Sequence, residues 1–185
     1  MTQTKDSGQL KLLEMQQRDS LLFGLYARGG EFKRVIDEEV QKRLSLITAE
    51  DVARDVIGTL SEVNDEMAYA QSGRGRWGYR SYEETVSELL RDQFNPFLDT
   101  IEDAAKEGRA DLALIRVEGI VLGLYRYERK CPYNYVDAVP DDWLMMAEDA
   151  LDAWKELYPD NEASQQLLRT FIAENCPQWE EAFEL

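Results

Sequence analysis

The sequence predicts an all-α protein of seven to eight antiparallel amphipathic helices, arranged in a bundle or a short helical-repeat array. Apolar residues recur at spacings of three and four along nearly all of the 185 residues, and this spacing places them on one face of a helix. We find no stretch with the strict alternation of apolar and polar residues that marks a half-buried strand. Capping residues, glycines and prolines divide the pattern into separate helices.

Two helices are expected before residue 47. The first covers Gln9 to Tyr26 and ends at Gly29-Gly30, because glycine is typical of helix C-termini. The second follows at once and runs to about Leu46. The apolar stripes predict buried side chains at Leu10, Leu13, Leu21, Leu22 and Leu25 in the first helix and at Phe32, Val35, Ile36, Val40 and Leu44 in the second.

Capping signals set the starts of the third and fourth helices. Thr48 is an N-cap candidate followed by acids in the first turn, and the helix that it starts is predicted to run towards Ala70. Ser81 and Glu84 have the spacing of a capping box, so a fourth helix begins there. This helix ends at Gly108, and we expect Pro96 to kink or split it.

The fifth helix, Asp111 to about Arg129, is apolar on most of its circumference and is predicted to be the central helix. Gly119 and Gly123 lie one turn apart on it, a spacing that allows another helix to approach closely. A loop is expected from Pro132 to Pro140. The remaining predicted elements are helices at Asp141–Tyr158 and Glu162–Asn175 and a last turn after Pro177.

The length fits one helical domain, residues 1–185. An alternative has two subdomains, residues 1–70 and 81–185, joined by a loop at 71–80 that is rich in arginine, glycine and aromatic residues. The chain also contains two close copies, Phe23-Gly24-Leu25-Tyr26 and Leu122-Gly123-Leu124-Tyr125. A duplication would explain them, and so would a shared preference of packed helix C-termini for such residues.

The composition excludes most familiar catalytic chemistry. The chain has no histidine and only two cysteines, Cys131 and Cys176. Ser–His and Cys–His nucleophiles and Glu-x-x-His di-iron sites are therefore excluded, and two cysteines alone cannot complete a zinc site. We expect no enzyme activity, no cofactor and no metal site, with a carboxylate–metal hydrolase kept as the third alternative.

The charge is strongly negative and uneven. The net charge is −16, and residues 132–185 hold two basic and thirteen acidic side chains, whereas residues 71–80 hold three arginines and no acid. An acidic surface repels nucleic acid and anionic membranes and favours basic partners. The same acidic surface also fits an alternative in which these side chains only face solvent and bind no partner. Carboxylate clusters at 37–39, 99–103 and 148–149 fall mainly opposite the apolar stripes, so we interpret them as solvated helix faces.

The loop at 71–80 is the local candidate for binding. Its candidate residues are Arg74, Arg76, Trp77, Tyr79 and Arg80. Arginines beside aromatic side chains suit contact with phosphates and stacking on bases, although three arginines release few counterions. The same composition fits a mobile loop between helices, or a loop held by the acidic C-terminal third.

Tryptophans of the acidic C-terminal third are a second set of candidates. Trp143, Trp154 and Trp179 would anchor a partner protein if the core does not use them, because tryptophan is enriched at interface hot spots. At helical spacing, however, tryptophan is more often a core residue.

The sequence predicts a cytoplasmic protein without membrane contact. It contains no run of roughly 18 apolar residues, and its first residues lack the apolar core of a signal peptide. In a reducing compartment we expect Cys131 and Cys176 to be free thiols.

Three segments between Ser81 and Phe183 carry a family resemblance. They are Phe94-Asn95-Pro96-Phe97-Leu98 with Ile101-Glu102, Gly119-Ile120-Val121-Leu122-Gly123-Leu124-Tyr125-Arg126, and Cys176-Pro177-Gln178-Trp179-Glu180-Glu181. About half of the chain resembles the helical region beside the zinc finger in some prokaryotic SWIM-type zinc-finger proteins. The Cys-x-Cys and Cys-x-His pairs of the finger are missing from the sequence. The resemblance therefore implies a helical accessory or interaction module, without the nucleic-acid binding attributed to the finger.

Together these observations predict a non-enzymatic, acidic helical scaffold or adaptor for protein–protein interaction. Its partner is expected to be a protein, and the acidic balance favours a basic one; a homo-oligomer stays open. The alternative is a nucleic-acid-associated protein that acts through residues 71–80 or by acidic mimicry of nucleic acid.

Overall fold

The computed structural model describes residues 15–75, 78–131, 137 and 139–183, and it confirms the all-α fold class. It contains helices α1 (Met15–Ala27), α2 (Gly30–Leu44), α3 (Ala49–Leu60), α4 (Asp65–Gln71), α5 (Tyr82–Lys106), α6 (Ala110–Lys130), α7 (Asp142–Leu157) and α8 (Glu162–Asn175). Strands β1 (Gly73–Gly75) and β2 (Gly78–Arg80) form a hairpin, and Glu180–Ala182 is a 3-10 turn. The chain divides into two compact units, residues 1–46 and 47–185, so residues 71–80 lie inside the second unit.

The first unit contains α1 and α2. Gly29 and Gly30 separate the two helices with φ angles of 67° and 59°, a left-handed conformation that glycine adopts without strain. The predicted burial of both stripes is wrong in large part, because α2 has no buried residue. Leu21, Leu22, Phe32, Val35 and Val40 are 43–52% exposed, whereas Leu25, Ile36 and Leu44 are half-buried. Leu10 and Leu13 lie outside the described residues.

The second unit begins with the predicted cap. The Thr48 hydroxyl accepts a hydrogen bond from the Asp51 N–H at 3.2 Å, and the Asp51 carboxylate accepts one from the Thr48 N–H at 3.2 Å. The single helix predicted towards Ala70 is wrong, because α3 ends at Leu60. The Asn64 side chain then accepts from the Met67 N–H at 3.0 Å and caps a separate helix, α4.

Helix α5 starts at the predicted capping box. The Ser81 hydroxyl accepts a hydrogen bond from the Glu84 N–H, and the Glu84 carboxylate accepts one from the Ser81 N–H. Gly108, with a φ of 70°, follows the end of the helix. Pro96 does not split the helix, which is continuous from Tyr82 to Lys106. Buried Phe94 and Ile101 on either side of the proline hold both halves against the core, which offsets the lost backbone hydrogen bond.

Helix α6 is the central helix, as predicted. It contacts α3, α5, α7 and α8. Its closest neighbour is α3, and the two run in the same direction, an exception to the predicted antiparallel order. The pairs that meet are Gly119 with Val52, Gly123 with Val56, and Tyr127 with Leu60. A step of four residues along α6 thus matches a step of four along α3.

Helices α7 and α8 complete the second unit. Helix α7 packs on α5 and α6, and Arg91 Nη1 of α5 pairs with the Asp149 carboxylate of α7 at 3.0 Å. Helix α8 has the predicted bounds. Cys131 is half-buried, Cys176 is buried, and both are free thiols, as expected. Most of the predicted loop at 132–140 lies outside the described residues.

Candidate functional site

Residues 71–80 are not an irregular loop, because two short strands pair within them. The antiparallel hairpin joins Gly73 to Arg80, Arg74 to Tyr79 and Gly75 to Gly78. Gly73 and Gly78 have φ angles of 101° and 129°, values that side-chain-bearing residues rarely adopt. The predicted loop is therefore corrected to a hairpin, and glycine at both of these positions is the local reason for it.

The hairpin presents three of its predicted binding residues, Arg74, Tyr79 and Arg80, to solvent. Arg74 and Tyr79 are exposed cross-strand partners, and Tyr79 is 75% exposed. Arg80 is also exposed and forms an ion pair with Glu88 of α5, so this arginine is held by α5 and not by the acidic C-terminal third. Arg76 and Trp77 lie outside the described residues.

Two tyrosines connect the flanks of the hairpin. The Tyr69 and Tyr82 rings lie 4.6 Å apart between centroids. The Tyr82 hydroxyl donates a hydrogen bond to the Asp65 carboxylate at 2.7 Å, and burial together with this carboxylate raises the pKa of Tyr82. The contacts fix the end of α4 against the start of α5, so the hairpin projects from a defined base.

The three tryptophans proposed as anchors belong to the core. Trp143, Trp154 and Trp179 are 0%, 1% and 6% exposed. Trp143 packs on the Tyr127 ring at 5.3 Å, and Trp179 meets the Tyr125 ring edge-on at 5.4 Å. Anchoring of a partner by these tryptophans was predicted only if the core does not use them, and that condition is not met.

An acidic groove of about 750 Å³ lies between the first half of α5 and the start of α7. Six carboxylates and one arginine supply its charged lining: Glu83, Glu84, Glu88, Asp92, Asp141, Asp142 and Arg91. The Oδ2 atom of Asp142 is buried and has no hydrogen-bond partner among the described residues.

The sequence did not indicate the apolar surface of the first unit. We define the α1–α2 apolar surface as seven side chains that are 37–71% exposed: Leu21, Leu22, Phe23, Tyr26, Phe32, Val35 and Val40. Along α1 it borders an open groove of about 450 Å³ lined by Gln17, Ser20, Leu21, Gly24, Leu25 and Arg28. An apolar stripe predicts burial but does not say against what, so the sequence pattern predicted burial for five of the seven: Leu21, Leu22, Phe32, Val35 and Val40.

Glu118 on α6 is a carboxyl group whose pKa lies near neutrality. Burial raises the pKa of Glu118 to about 7, and burial is its only cause. Perturbed carboxyls mark many catalytic sites, but those shifts usually combine burial with a specific charged partner. A place on the central helix explains the shift at Glu118 without a catalytic role.

The described residues contain neither a candidate metal site nor a candidate membrane span. No group of three or more carboxylate or cysteine side chains there could hold a metal ion. None of the helices in that part of the chain is both long and apolar enough to cross a membrane.

Comparisons of this chain with protein families, with curated proteins and with solved structures give no match. The resemblance to the SWIM-associated helical region therefore stays a prediction.

Proposed function

We propose that this chain is a non-enzymatic helical scaffold or adaptor for protein–protein interaction. The α1–α2 apolar surface is the observation that carries the proposal, because seven large apolar side chains lie at least 37% open to solvent on two short helices. Single exposed apolar residues scattered over a surface are normal, whereas seven of them on two consecutive helices suit a surface that binds another protein. The accessory module implied by the SWIM resemblance would have the same kind of role.

The acidic groove is a second surface and suits a basic partner. Its charged lining is six carboxylates against one arginine, which attracts positive groups and speeds their association. An adaptor needs two such separate surfaces of different chemistry. We place this activity in the cytoplasm, where the free thiols of Cys131 and Cys176 would persist.

A nucleic-acid-associated role is the second candidate. The exposed pair of Arg74 and Tyr79 favours it, since an arginine beside an aromatic ring can contact a phosphate and stack on a base. Against it, the Arg80 ion pair with Glu88 already uses one of the arginines. No observation on the described residues favours a carboxylate–metal hydrolase.

The test is capture of partners by the tagged chain from its native lysate, with and without nuclease. Phe23→Asp with Phe32→Asp places charge on the α1–α2 apolar surface. Leu167→Asp is the matched control, because Leu167 is 59% exposed on α8 of the second unit. At both low and high salt, we expect the unaltered chain and the Leu167→Asp control to capture a protein partner. We expect the double variant to capture none.

Two results would contradict the scaffold proposal. One is capture that is the same for the double variant and the unaltered chain, because the α1–α2 apolar surface then contributes nothing. The other is capture that disappears on nuclease treatment and weakens steeply with salt. That result would favour nucleic-acid contact, which depends on released counterions.

A further inference from the structure

We infer that the junction between the two units, residues 42–47, is a processing site for an endoprotease that cleaves after paired basic residues. The bond that it hydrolyses is Arg43–Leu44. Hydrolysis adds the hydroxyl of water to the Arg43 carbonyl carbon and the hydrogen to the Leu44 nitrogen, which leaves a carboxylate and an amine. The cut separates α1 and all but the last residue of α2 from the second unit. The inference concerns regulation of the α1–α2 apolar surface and so rests on the proposed function.

The two basic side chains before this bond are open to a protease. The Lys42 and Arg43 side chains are 72% and 77% exposed. Both pair with the Glu39 carboxylate, at 3.9 and 3.1 Å, on the surface of α2. Exposed ion pairs contribute little to stability, so these contacts compete only weakly with a protease pocket that binds a basic side chain.

The backbone around the bond can leave the helix at small cost. Cleavage of a folded protein requires a segment that opens locally, and its rate follows the population of the open form. Helix α2 ends at Leu44, residues 45 and 46 form a turn, and Leu46 is 69% exposed. No residue of α2 is buried. Opening its last turn therefore breaks backbone hydrogen bonds but exposes no core side chain.

Cleavage at the junction leaves the core of the second unit complete. Every buried apolar side chain among the described residues lies between Val52 and Trp179. The cap that begins α3 joins Thr48 to Asp51, and both residues lie on the same side of the cut. We therefore expect residues 44–185 to stay folded and to keep the acidic groove. The released residues 1–43 carry the whole α1–α2 apolar surface, so the cut ends binding at that surface.

Helix α2 contains a second Lys-Arg pair that serves as an internal control. Lys33-Arg34 has the same sequence as Lys42-Arg43 but lies inside the helix, where residues on both sides of the Arg34–Val35 bond are helical. The Arg34 side chain pairs with Glu31 at 3.3 Å and with Glu38 at 2.6 Å. Cleavage there requires a large part of α2 to open. The structure thus predicts cleavage after Arg43 rather than after Arg34.

The test is limited digestion of the purified full-length chain with trypsin, with the fragments followed over time by mass spectrometry. We expect residues 44–185 to be the first large fragment and to accumulate, with cleavage after Arg43 at least about tenfold faster than after Arg34. Lys42→Gln with Arg43→Gln should abolish this fragment. Lys33→Gln with Arg34→Gln, the matched control in the same helix, should leave it unchanged.

Two further measurements follow the fragment. Urea unfolding of the purified fragment, read by tryptophan fluorescence, should have the same midpoint as that of the unaltered chain, because all four tryptophans lie in residues 47–185. In the native cell, a C-terminally tagged chain and its Lys33, Arg34 control should both yield a product of this mass. The Lys42, Arg43 variant should yield none.

Several results would overturn the inference. They are a first cut at Arg28 or in the hairpin at Arg74, cleavage after Arg34 as fast as after Arg43, a fragment that unfolds once released, and absence of the product from the cell. None of them affects capture of a partner by the intact chain, which tests the proposed function separately. Failed capture by the intact chain, with normal processing at Arg43, would contradict the proposed function but not the cleavage site.

Discussion

Replacing Gly119 with alanine tests the close contact between α3 and α6. A Cβ atom at this position would lie 2.4 Å from the Val52 Cβ and 2.6 Å from the Ala49 carbonyl oxygen. Carbon atoms in contact prefer about 3.5–4.0 Å, so the added methyl would lie more than 1 Å too close to the Val52 Cβ, and it would also overlap the Ala49 oxygen. One neighbour is backbone, and no rotamer change can move it. Helix α3 must therefore shift.

The size of the effect follows from two opposing contributions. Overpacking a well-filled core costs about 1–3 kcal/mol and occasionally more. Alanine in place of glycine inside a helix raises the free energy of unfolding by about 1 kcal/mol. Since the shift also disturbs the contacts of Gly123 and Tyr127 with α3, we expect the upper end of the cost and a net loss of about 2 kcal/mol in the free energy of unfolding.

Urea unfolding followed by tryptophan fluorescence measures this loss. The four tryptophans all lie in residues 47–185, so the signal reports the unit that contains the contact. Gly58→Ala is the matched control, since Gly58 lies in α3 with open space around it. That variant should be about 0.5–1 kcal/mol more stable than the unaltered chain.

The refuting result is a Gly119→Ala protein as stable as Gly58→Ala. It would mean that α3 and α6 have room between them and that the parallel contact is looser than described. Val52→Ala should not rescue Gly119→Ala, because alanine keeps the Cβ atom that lies nearest to the added methyl.

Three further predictions concern single groups of the second unit. Tyr127→Phe removes a buried hydroxyl that donates to the Leu60 carbonyl at 2.9 Å, so urea unfolding should show a free energy of unfolding lower by about 1–2 kcal/mol. The control Tyr79→Phe, at an exposed site, should leave the free energy of unfolding unchanged. Burial raises the pKa of Glu118 from 4.5 to about 7, so the native state holds a proton that the unfolded state releases, and stability should fall as pH rises from 4.5 to 7. Glu118→Gln should remove that fall and be more stable than the unaltered chain at pH 8, by less than the full pKa shift implies because the side chain is partly exposed to solvent; an unchanged pH profile would contradict the assignment. Burial raises the pKa of Cys176 to about 12, and the Cys131→Ser variant leaves Cys176 as its one cysteine. A thiol reagent at pH 8 should therefore label this variant only after it unfolds. Labelling of the native variant would show that Cys176 is accessible to solvent.

Much of the fold could be predicted because local chemistry decides it. The caps at Thr48 and Ser81 begin helices where the sequence places them, since each side chain bonds to amides only three residues away. The bounds of α8 and the central place of α6 follow equally from apolar spacing. The break between α3 and α4 was missed, because the apolar spacing continues across it and hides the cap at Asn64.

The candidate sites were predicted less well than the helices. Arginine, glycine and aromatic residues indicated an exposed segment at 71–80, and Arg74 and Tyr79 are exposed. The composition could not show that the segment pairs as a hairpin, or that Arg80 reaches Glu88. Trp143 could be judged a core or an interface residue only once its neighbours were known.

The sequence by itself determined the helical fold class, the helix caps, the acidic balance and the absence of histidine chemistry, because each depends on composition or on residues one turn apart. The tertiary structure decided which apolar faces are covered. Val52 of α3 and Val40 of α2 have the same kind of helical spacing, yet α6 buries the first, whereas the second stays 45% exposed. Periodicity shows that a face is apolar, but burial depends on a partner that is distant in the chain or belongs to another molecule.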